Sequence, residues 1–327
     1  MVEALGTRLR DKRIAAGLTQ QQLAAAAGVG ITTVRDLERG RTFRPHPRCL
    51  GAITSALNIS ADEIRQARAA PVLYIQTLGP LKAWHAGRPL DLGPVRQRIL
   101  LGILAARSGE SVAQDVLADM LWGHRPPHSW AGVIHTYVSR LRRILEPRCR
   151  PGSRTKVIVT TSRGYELHLG ANQLDYLLFR RWLAESRDLR QDGDAFRAFA
   201  SYQKALSHWH GHPFADLIRL RCLPEVAALA SELAAAVLEC AELACALGQA
   251  THMIGPLREI NSWDPFNGAA QAQLIRTLIA AGERAAAVRA FNQIQALLAD
   301  ELGVDPDQPV VEAYLHALNG SAKGAGG

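Results

Sequence analysis

The chain has 327 residues, 48% of them hydrophobic and 21% charged. That is ordinary for a soluble globular protein and long enough for two or three domains. No apolar run reaches membrane-spanning length, and the N-terminal MVEALGTRLRDKR has no apolar signal-peptide core. Cys49, Cys149, Cys222, Cys240 and Cys245 form no metal-type pattern, which fits reduced core thiols in a cytoplasmic protein. The net charge of +8 is uneven: +5 over residues 1–70, +8 over 71–170 and −5 over 171–327. A polyanion such as DNA would therefore be drawn to the first half, and the acidic half would face away.

Residues 5–69 read as five short helices. The first runs from about Gly6 to Ala16 and ends at Gly17. Thr19 and Gln22 then have capping-box spacing, Leu23, Ala24 and Ala27 form an inner face, and Gly28 supplies the left-handed stop. A further helix begins at once and closes at Gly40, so the pair is a helix-turn-helix. Ser60 and Glu63 form another capping box before the last helix. Arg13, GLTQ (17–20), Leu23-Ala24, Gly28-Val29 and LERGR (37–41) resemble the phage-repressor (XRE/Cro) type of helix-turn-helix. The resemblance implies that Ile31, Thr32 and Asp36 face base edges, and that Gln20 and Arg44 touch phosphate or lie near the minor groove. Gly30 stands where such helices usually carry a Ser or Thr cap.

After a short linker at 67–71, Val72 to Leu78, Leu81 to His85 and Arg88 to Leu92 read as strands, with a turn at Ala86-Gly87. Pro94 opens a helix that stops near Gly109. Ser111 to Trp122 reads as the next helix, with Val112, Val116, Leu117 and Met120 inside and Gly123 at its end. HRPPHS (124–129) is a stiff basic loop. Ser129 to Leu145 follows as a helix in which Ile134, Val138, Leu141 and Leu145 make one apolar stripe. His135, Thr136, Ser139, Arg140 and Arg143 lie away from it, and no carboxylate occurs until Glu146, which is placed to neutralise Arg143 alone. A helix with one apolar face and one acid-free, arginine-bearing face suits a DNA major groove, and a solvated basic face is the alternative. Lys156 to Thr160 and Tyr165 to Leu169 then read as two short strands, with Arg163 at the hairpin tip.

Strands, three helices and a C-terminal hairpin describe a winged helix. LGPL (78–81), RQR (96–98), LADMLWG (117–123), YVSRLRR (137–143) and RGYEL (163–167) resemble the OmpR-type DNA-binding domain, and more closely its version in the Streptomyces antibiotic regulatory protein (SARP) family. The resemblance implies that the 129–145 helix enters the major groove and that Arg163 lies against the minor groove or phosphates. It makes the 124–130 loop, with His124, Arg125 and His128, the contact with RNA polymerase.

Residues 172–319 read as Ala- and Leu-rich helices. Leu247-Gly248 and Ala281-Gly282 stand 34 residues apart, the period of a tetratricopeptide (TPR) helix pair. LIAAGERAAAVRAFNQIQALLADELGVDP (278–306) and WHGHPFADL (209–217) resemble the bacterial transcriptional activator domain of the same family. His208, His210 and His212 diverge if a helix ends near Trp209, so no metal or other cofactor is expected. Trp209 and Trp263 read as core anchors. No nucleotide-binding or hydrolase motif is present, so an enzyme is not expected.

The expected fold is mainly α and multidomain: a five-helix repressor-like module over 1–70, an α+β winged helix over 71–170, a TPR-like all-α domain over 171–320 and a disordered tail at 321–327. The expected function is a sequence-specific transcriptional activator, by resemblance one acting on secondary-metabolite (antibiotic) genes. Its partners would be double-stranded DNA with direct repeats, RNA polymerase holoenzyme and further copies of itself, and it would be cytoplasmic and nucleoid-associated, with no membrane partner. The alternatives are a repressor, a ligand-responsive switch, or a TPR-like scaffold or sensor.

Overall fold

The protein is seen in a computed structural model that describes residues 9–10, 12–38, 46–57, 72–123, 125–147 and 155–319. These fall into two compact units, one within 1–77 and 81–175, the other within 78–80 and 176–327.

In the first unit, residues 12–15 are helical and lead through Gly17 to α1 (Gln20–Ala26), α2 (Ile31–Glu38) and α3 (Pro47–Ala56). The capping box forms as its residues dictate. The Thr19 hydroxyl accepts from the Gln22 N–H at 3.2 Å, and Gln22 Oε1 accepts from the Thr19 N–H at 2.8 Å. Gly28, at φ +60°, lets its own N–H reach the Ala25 carbonyl and that of Val29 reach Ala24, which closes α1 and turns the chain into α2. Leu9, Leu23, Ala24, Val34, Leu37, Leu50, Ile53 and Leu57 fill the core between these helices. One buried ion pair ties them. Arg13 Nε and Nη2 donate to the two oxygens of Glu38 at 2.6 and 3.1 Å, and Nη1 donates to the Leu18 carbonyl at 2.6 Å. The Glu38 side chain is only 3% exposed. Its hydrogen bond raises the Arg13 pKa further, against the effect of burial. The expected last helix, with Ser60 and Glu63, lies outside the described residues.

β1 (Leu73–Gln76), β2 (Lys82–His85) and β3 (Arg88–Pro89) form an antiparallel sheet in chain order. The β2–β3 hairpin turns on Ala86 (φ 51°) and Gly87 (φ 80°), both left-handed as a two-residue turn of this kind requires. The strands are shorter than their β-rich stretches suggest, and beyond the third one more backbone bond runs from the Leu90 N–H to the Ala83 carbonyl at 2.8 Å. α4 (Val95–Ala106) is buried almost all round from Ile99 to Ala105, so it is the central helix of the winged module. It packs against α5 (Gln114–Trp122), α6 (Trp130–Leu145) and the C-terminal hairpin.

Two sequence expectations change here. Ser111–Ala113 is not the first turn of a helix. Val112–Ala113 forms a strand, β4, and α5 starts at Gln114. Val112 pairs with Tyr165 and Ala113 with Gly164 on the hairpin, so pairing with a distant strand overrides local helical periodicity. In α5, Leu117, Ala118 and Leu121 are the buried positions, and Val116 and Met120 are half-buried.

Among the described residues, the regular elements of the second unit are all helices. α7 (Asp175–Gln191) and α8 (Ala195–Leu206) are followed by α9 (Pro224–Ala246), α10 (Ile254–Trp263), α11 (Gly268–Ala280), α12 (Arg284–Leu302) and α13 (Gln308–Asn319). Gly193, Gly248 and Gly282 turn α7 to α8, α9 toward α10 and α11 to α12 by one device. Each glycine has positive φ, its N–H reaches back three residues, and the next N–H reaches back five. The 34-residue spacing of the last two is thus a spacing of identical turns. Arg180, Arg187 and Arg190 on α7 pair with Glu232, Glu239 and Glu242 on α9, each partner 52 residues on, so the two helices run parallel as equivalent members of successive pairs. Tyr202 of α8 donates to Glu239 at 2.7 Å, and burial with that bond pushes its pKa up to about 12. Cys240 is buried and Cys245 half-buried, whereas Cys222 is exposed and so is not a core thiol.

Trp209 and Trp263 meet edge to face at 5.4 Å, and the His212 ring lies 5.0 Å from Trp263. His212 Nδ1 is 2.9 Å from the Pro213 carbonyl, and the His210 backbone N–H donates to the Leu78 carbonyl. His212 is thus engaged through its ring and His210 through its backbone.

Two outcomes follow from this packing. Glu38→Ala leaves the Arg13 guanidinium buried without its partner and lowers the stability of the first module by about 3–5 kcal/mol in urea unfolding. Burial holds the His208 and His212 pKa values below the ordinary 6.5. The unfolded chain therefore takes up protons where the folded one does not. Stability is full above about pH 6.5 and is lost as pH falls through the depressed folded values. The thermal midpoint should fall between about pH 7 and pH 5, and His212→Gln should flatten that fall.

Candidate nucleic-acid interface

The sequence rotates α6 by its apolar stripe. Ile134, Val138, Leu141 and Leu145 are all buried, at 0–1% exposure. At 100° per residue this forces His135, Thr136, Ser139, Arg140 and Arg143 to the outside, and all five are exposed. Arg140 and Arg143 have no hydrogen-bond or ion-pair partner among the described residues, and they border a cleft of about 430 Å³ with Asp91, Gly93 and Gln97. The Thr136 hydroxyl donates to the Gly132 carbonyl at 2.9 Å, so toward a groove it presents its lone pairs and methyl group. The helix face itself holds donors, acceptors and cations with no carboxylate, and Asp91 lines the cleft beside it.

Beside it stands the hairpin of β5 (Ile158–Thr160) and β6 (Gly164–Leu167), in a sheet of order β4-β6-β5. Its tip is fixed from within. Thr161 Oγ1 accepts from the Gly164 N–H and shares a 2.6 Å hydrogen bond with Ser111, and the Arg163 carbonyl accepts from the Gln114 N–H. The Arg163 side chain is left exposed. Gly164 is obligatory, because a Cβ there would overlap the Val112 carbonyl. Arg125 and His128 are exposed in the loop before α6; His124 lies outside the described residues.

In the first module, α2 exposes Ile31 and Thr32 at its start, as a reading helix must. Asp36 is half-buried. Gln20 points inward, its Nε2 donating to Glu38 Oε2 at 2.7 Å, which ties its amide to the Arg13–Glu38 pair rather than to solvent. Arg44 lies outside the described residues.

Residues 4–67 match the family described as Helix-turn-helix domain, 87–167 that of Transcriptional regulatory protein, C terminal, and 174–317 that of Bacterial transcriptional activator domain. The chain belongs to the SARP family. Among its SARP relatives, regulatory protein AfsR of Streptomyces griseus is 31% identical over 256 residues, which span 76% of this chain and 25% of AfsR. DnrI of Streptomyces peucetius is 29% identical over 239 residues, spanning 72% of this chain and 88% of DnrI. Mycobacterium tuberculosis EmbR, solved in complex with a low-affinity phosphopeptide, superposes with a TM-score of 0.63 at 27% identity, over 76% of this chain and 65% of that one. The chain thus spans about a quarter of the length of the AfsR proteins it matches.

Sequence reasoning about this SARP chain missed Arg142 and misplaced Glu146. Glu146 does not neutralise Arg143. Its carboxylate accepts from the Lys156 N–H (3.0 Å) and the Val157 N–H (3.3 Å). Arg142 donates from Nε to the Ile158 carbonyl at 2.9 Å and from Nη2 to Thr160 Oγ1 at 2.8 Å, and it lies over the Tyr165 ring. The available signal was position: Arg142 sits one residue beyond the apolar Leu141, at the border of the buried stripe, where a long side chain lies along a neighbour.

Gly164→Ala must push β4 away from β6, so chemical denaturation should show a loss of about 1–3 kcal/mol.

Proposed function

We propose that the protein is a sequence-specific DNA-binding transcriptional activator that recruits RNA polymerase at promoters of secondary-metabolite genes, and that copies bind in tandem on direct repeats. The observation that carries the reading is the α6 face: His135, Thr136, Ser139, Arg140 and Arg143 exposed together, turned outward by a buried stripe, with Arg163 exposed on the adjacent hairpin. Phosphate neutralisation by the basic first half supplies affinity, and base-edge contacts supply specificity. The SARP relatives named regulatory proteins support regulation in general, and the antibiotic pathway is taken from the SARP resemblance of the sequence motifs.

The work is divided among three modules. Residues 1–70 are a second reader through Ile31 and Thr32, with Asp36, Gln20 and Arg44 beside it. Residues 71–170 carry the principal reader, and Arg125, His128 and His124 form the loop that meets polymerase. Residues 171–320 are the helical-repeat platform. Two linked readers lengthen the recognised site, because engagement of one raises the effective concentration of the other. The protein acts in the cytoplasm.

Selection from a randomised duplex pool followed by footprinting tests the reading. Arg140→Ala should weaken binding to the selected site by about 1–3 kcal/mol and relax the preference at one position. Arg163→Ala should weaken binding to every sequence alike and lower the salt slope by about one. Unaltered binding by Arg140→Ala would remove α6 as the reader. Deleting residues 1–70 should shorten the footprint; an unchanged footprint would confine DNA reading to the winged helix.

A further inference from the structure

β5 is the outer strand of its sheet, so the backbone groups on its free side need partners from elsewhere. Among the described residues no fourth strand supplies them. The Thr155 hydroxyl donates to the Ile158 carbonyl at 2.8 Å, and the end of α6 supplies the others through side chains. Glu146 accepts the N–H groups of Lys156 and Val157 where the strand begins, and Arg142 donates to the Ile158 carbonyl. Arg142 also reaches further along the strand, since Thr160 is opposite Tyr165 in the register and the guanidinium engages both. Thr160 is the last strand residue before the tip that carries Arg163. Two residues one helical turn apart thus hold the hairpin at both ends.

We infer that Arg142 and Glu146 are positioning residues that set the wing against the reading face of α6, so that Arg163 and the α6 side chains meet one duplex in a fixed register. The inference rests on the proposed DNA binding for its consequence, but the clamp itself is a property of the free chain. Arg142 does not contact DNA in this scheme. It acts through Arg163. A guanidinium is required because it donates in two directions from a plane, toward the strand edge and toward the Thr160 hydroxyl, while stacking near an aromatic ring; an ammonium on a flexible stem cannot do all three.

The experiment uses the full chain and has two arms. In the first, without DNA, Arg142→Leu should raise amide exchange at Val159 to Arg163 about tenfold and leave the α6 amides between Ile134 and Leu141 unchanged. Unchanged exchange in the hairpin overturns the clamp. In the second, binding to a duplex selected by the wild-type chain is measured for Arg142→Leu, Arg163→Ala and the double variant. If Arg142 acts through the wing, each single variant loses about tenfold and the double variant loses little more than either alone. Losses that multiply to about a hundredfold overturn the inference, as does wild-type affinity in Arg163→Ala. Arg142→Lys covers the case in which Arg142→Leu does not fold. It keeps the charge, and it should show the same hairpin exchange and the same non-additivity; wild-type behaviour in Arg142→Lys overturns the need for the two-point grip. Failure of the wild-type chain to select any duplex sinks the proposed function and leaves the exchange arm to judge the clamp by itself.

Discussion

The rotation of α6 about its own axis is the constraint on which the interface depends. Four aliphatic side chains spaced four, three and four apart are withdrawn from water, and each is worth roughly 1.5–3 kcal/mol of burial. Turning the helix by one residue would expose most of that surface. The polar face therefore needs no interaction of its own to be held outward; the core holds it. Among the described residues Arg140 and Arg143 have no ion-pair partner, which leaves both guanidiniums available to a polyanion.

Arginines in this chain do two different kinds of work, and local surroundings decide which. Arg13 is spent inside, held by Glu38 and the Leu18 carbonyl, where a cation is tolerated because it has a bidentate carboxylate and a further acceptor. Arg142 is spent at the border between helix and hairpin. Arg180, Arg187 and Arg190 are exposed and paired along α7, where such pairs add little stability each but favour one alignment of two parallel helices. Arg140, Arg143 and Arg163 are exposed. Net charge alone cannot separate these groups, since all contribute equally to +8.

Patterns with a local cause were legible in the sequence. The Thr19–Gln22 capping box, the stop at Gly28, the Ala86-Gly87 turn, the stripe on α6 and the identical turns at Gly248 and Gly282 each follow from a few adjacent residues, and each formed. What could not be read had a distant cause. Val112 became a strand because Tyr165, 53 positions away, pairs with it. Glu146 was matched to its neighbour Arg143 by helical spacing, but the backbone N–H groups of Lys156 and Val157 hold it instead. In each case a long-range polar or backbone partner competed with a short-range rule and won, because a buried or edge group without a partner costs more than a surface contact returns.

The acidic character of residues 171–327 has a consequence for any complex with DNA. A segment of net −5 cannot neutralise phosphates, and within a Debye length of the duplex it would weaken binding by repulsion. Its glycine turns and its α7–α9 ladder instead make a repeated helical surface, which suits proteins better than polyanions. Under the proposed function, affinity for DNA is confined to the two basic modules and adjusted there by the wing, while the repeat segment is left free for protein partners. Salt should then act on the first step and hardly on the second: raising ionic strength releases the phosphate contacts of Arg140, Arg143 and Arg163 but leaves the apolar interior that shapes the repeat surface intact.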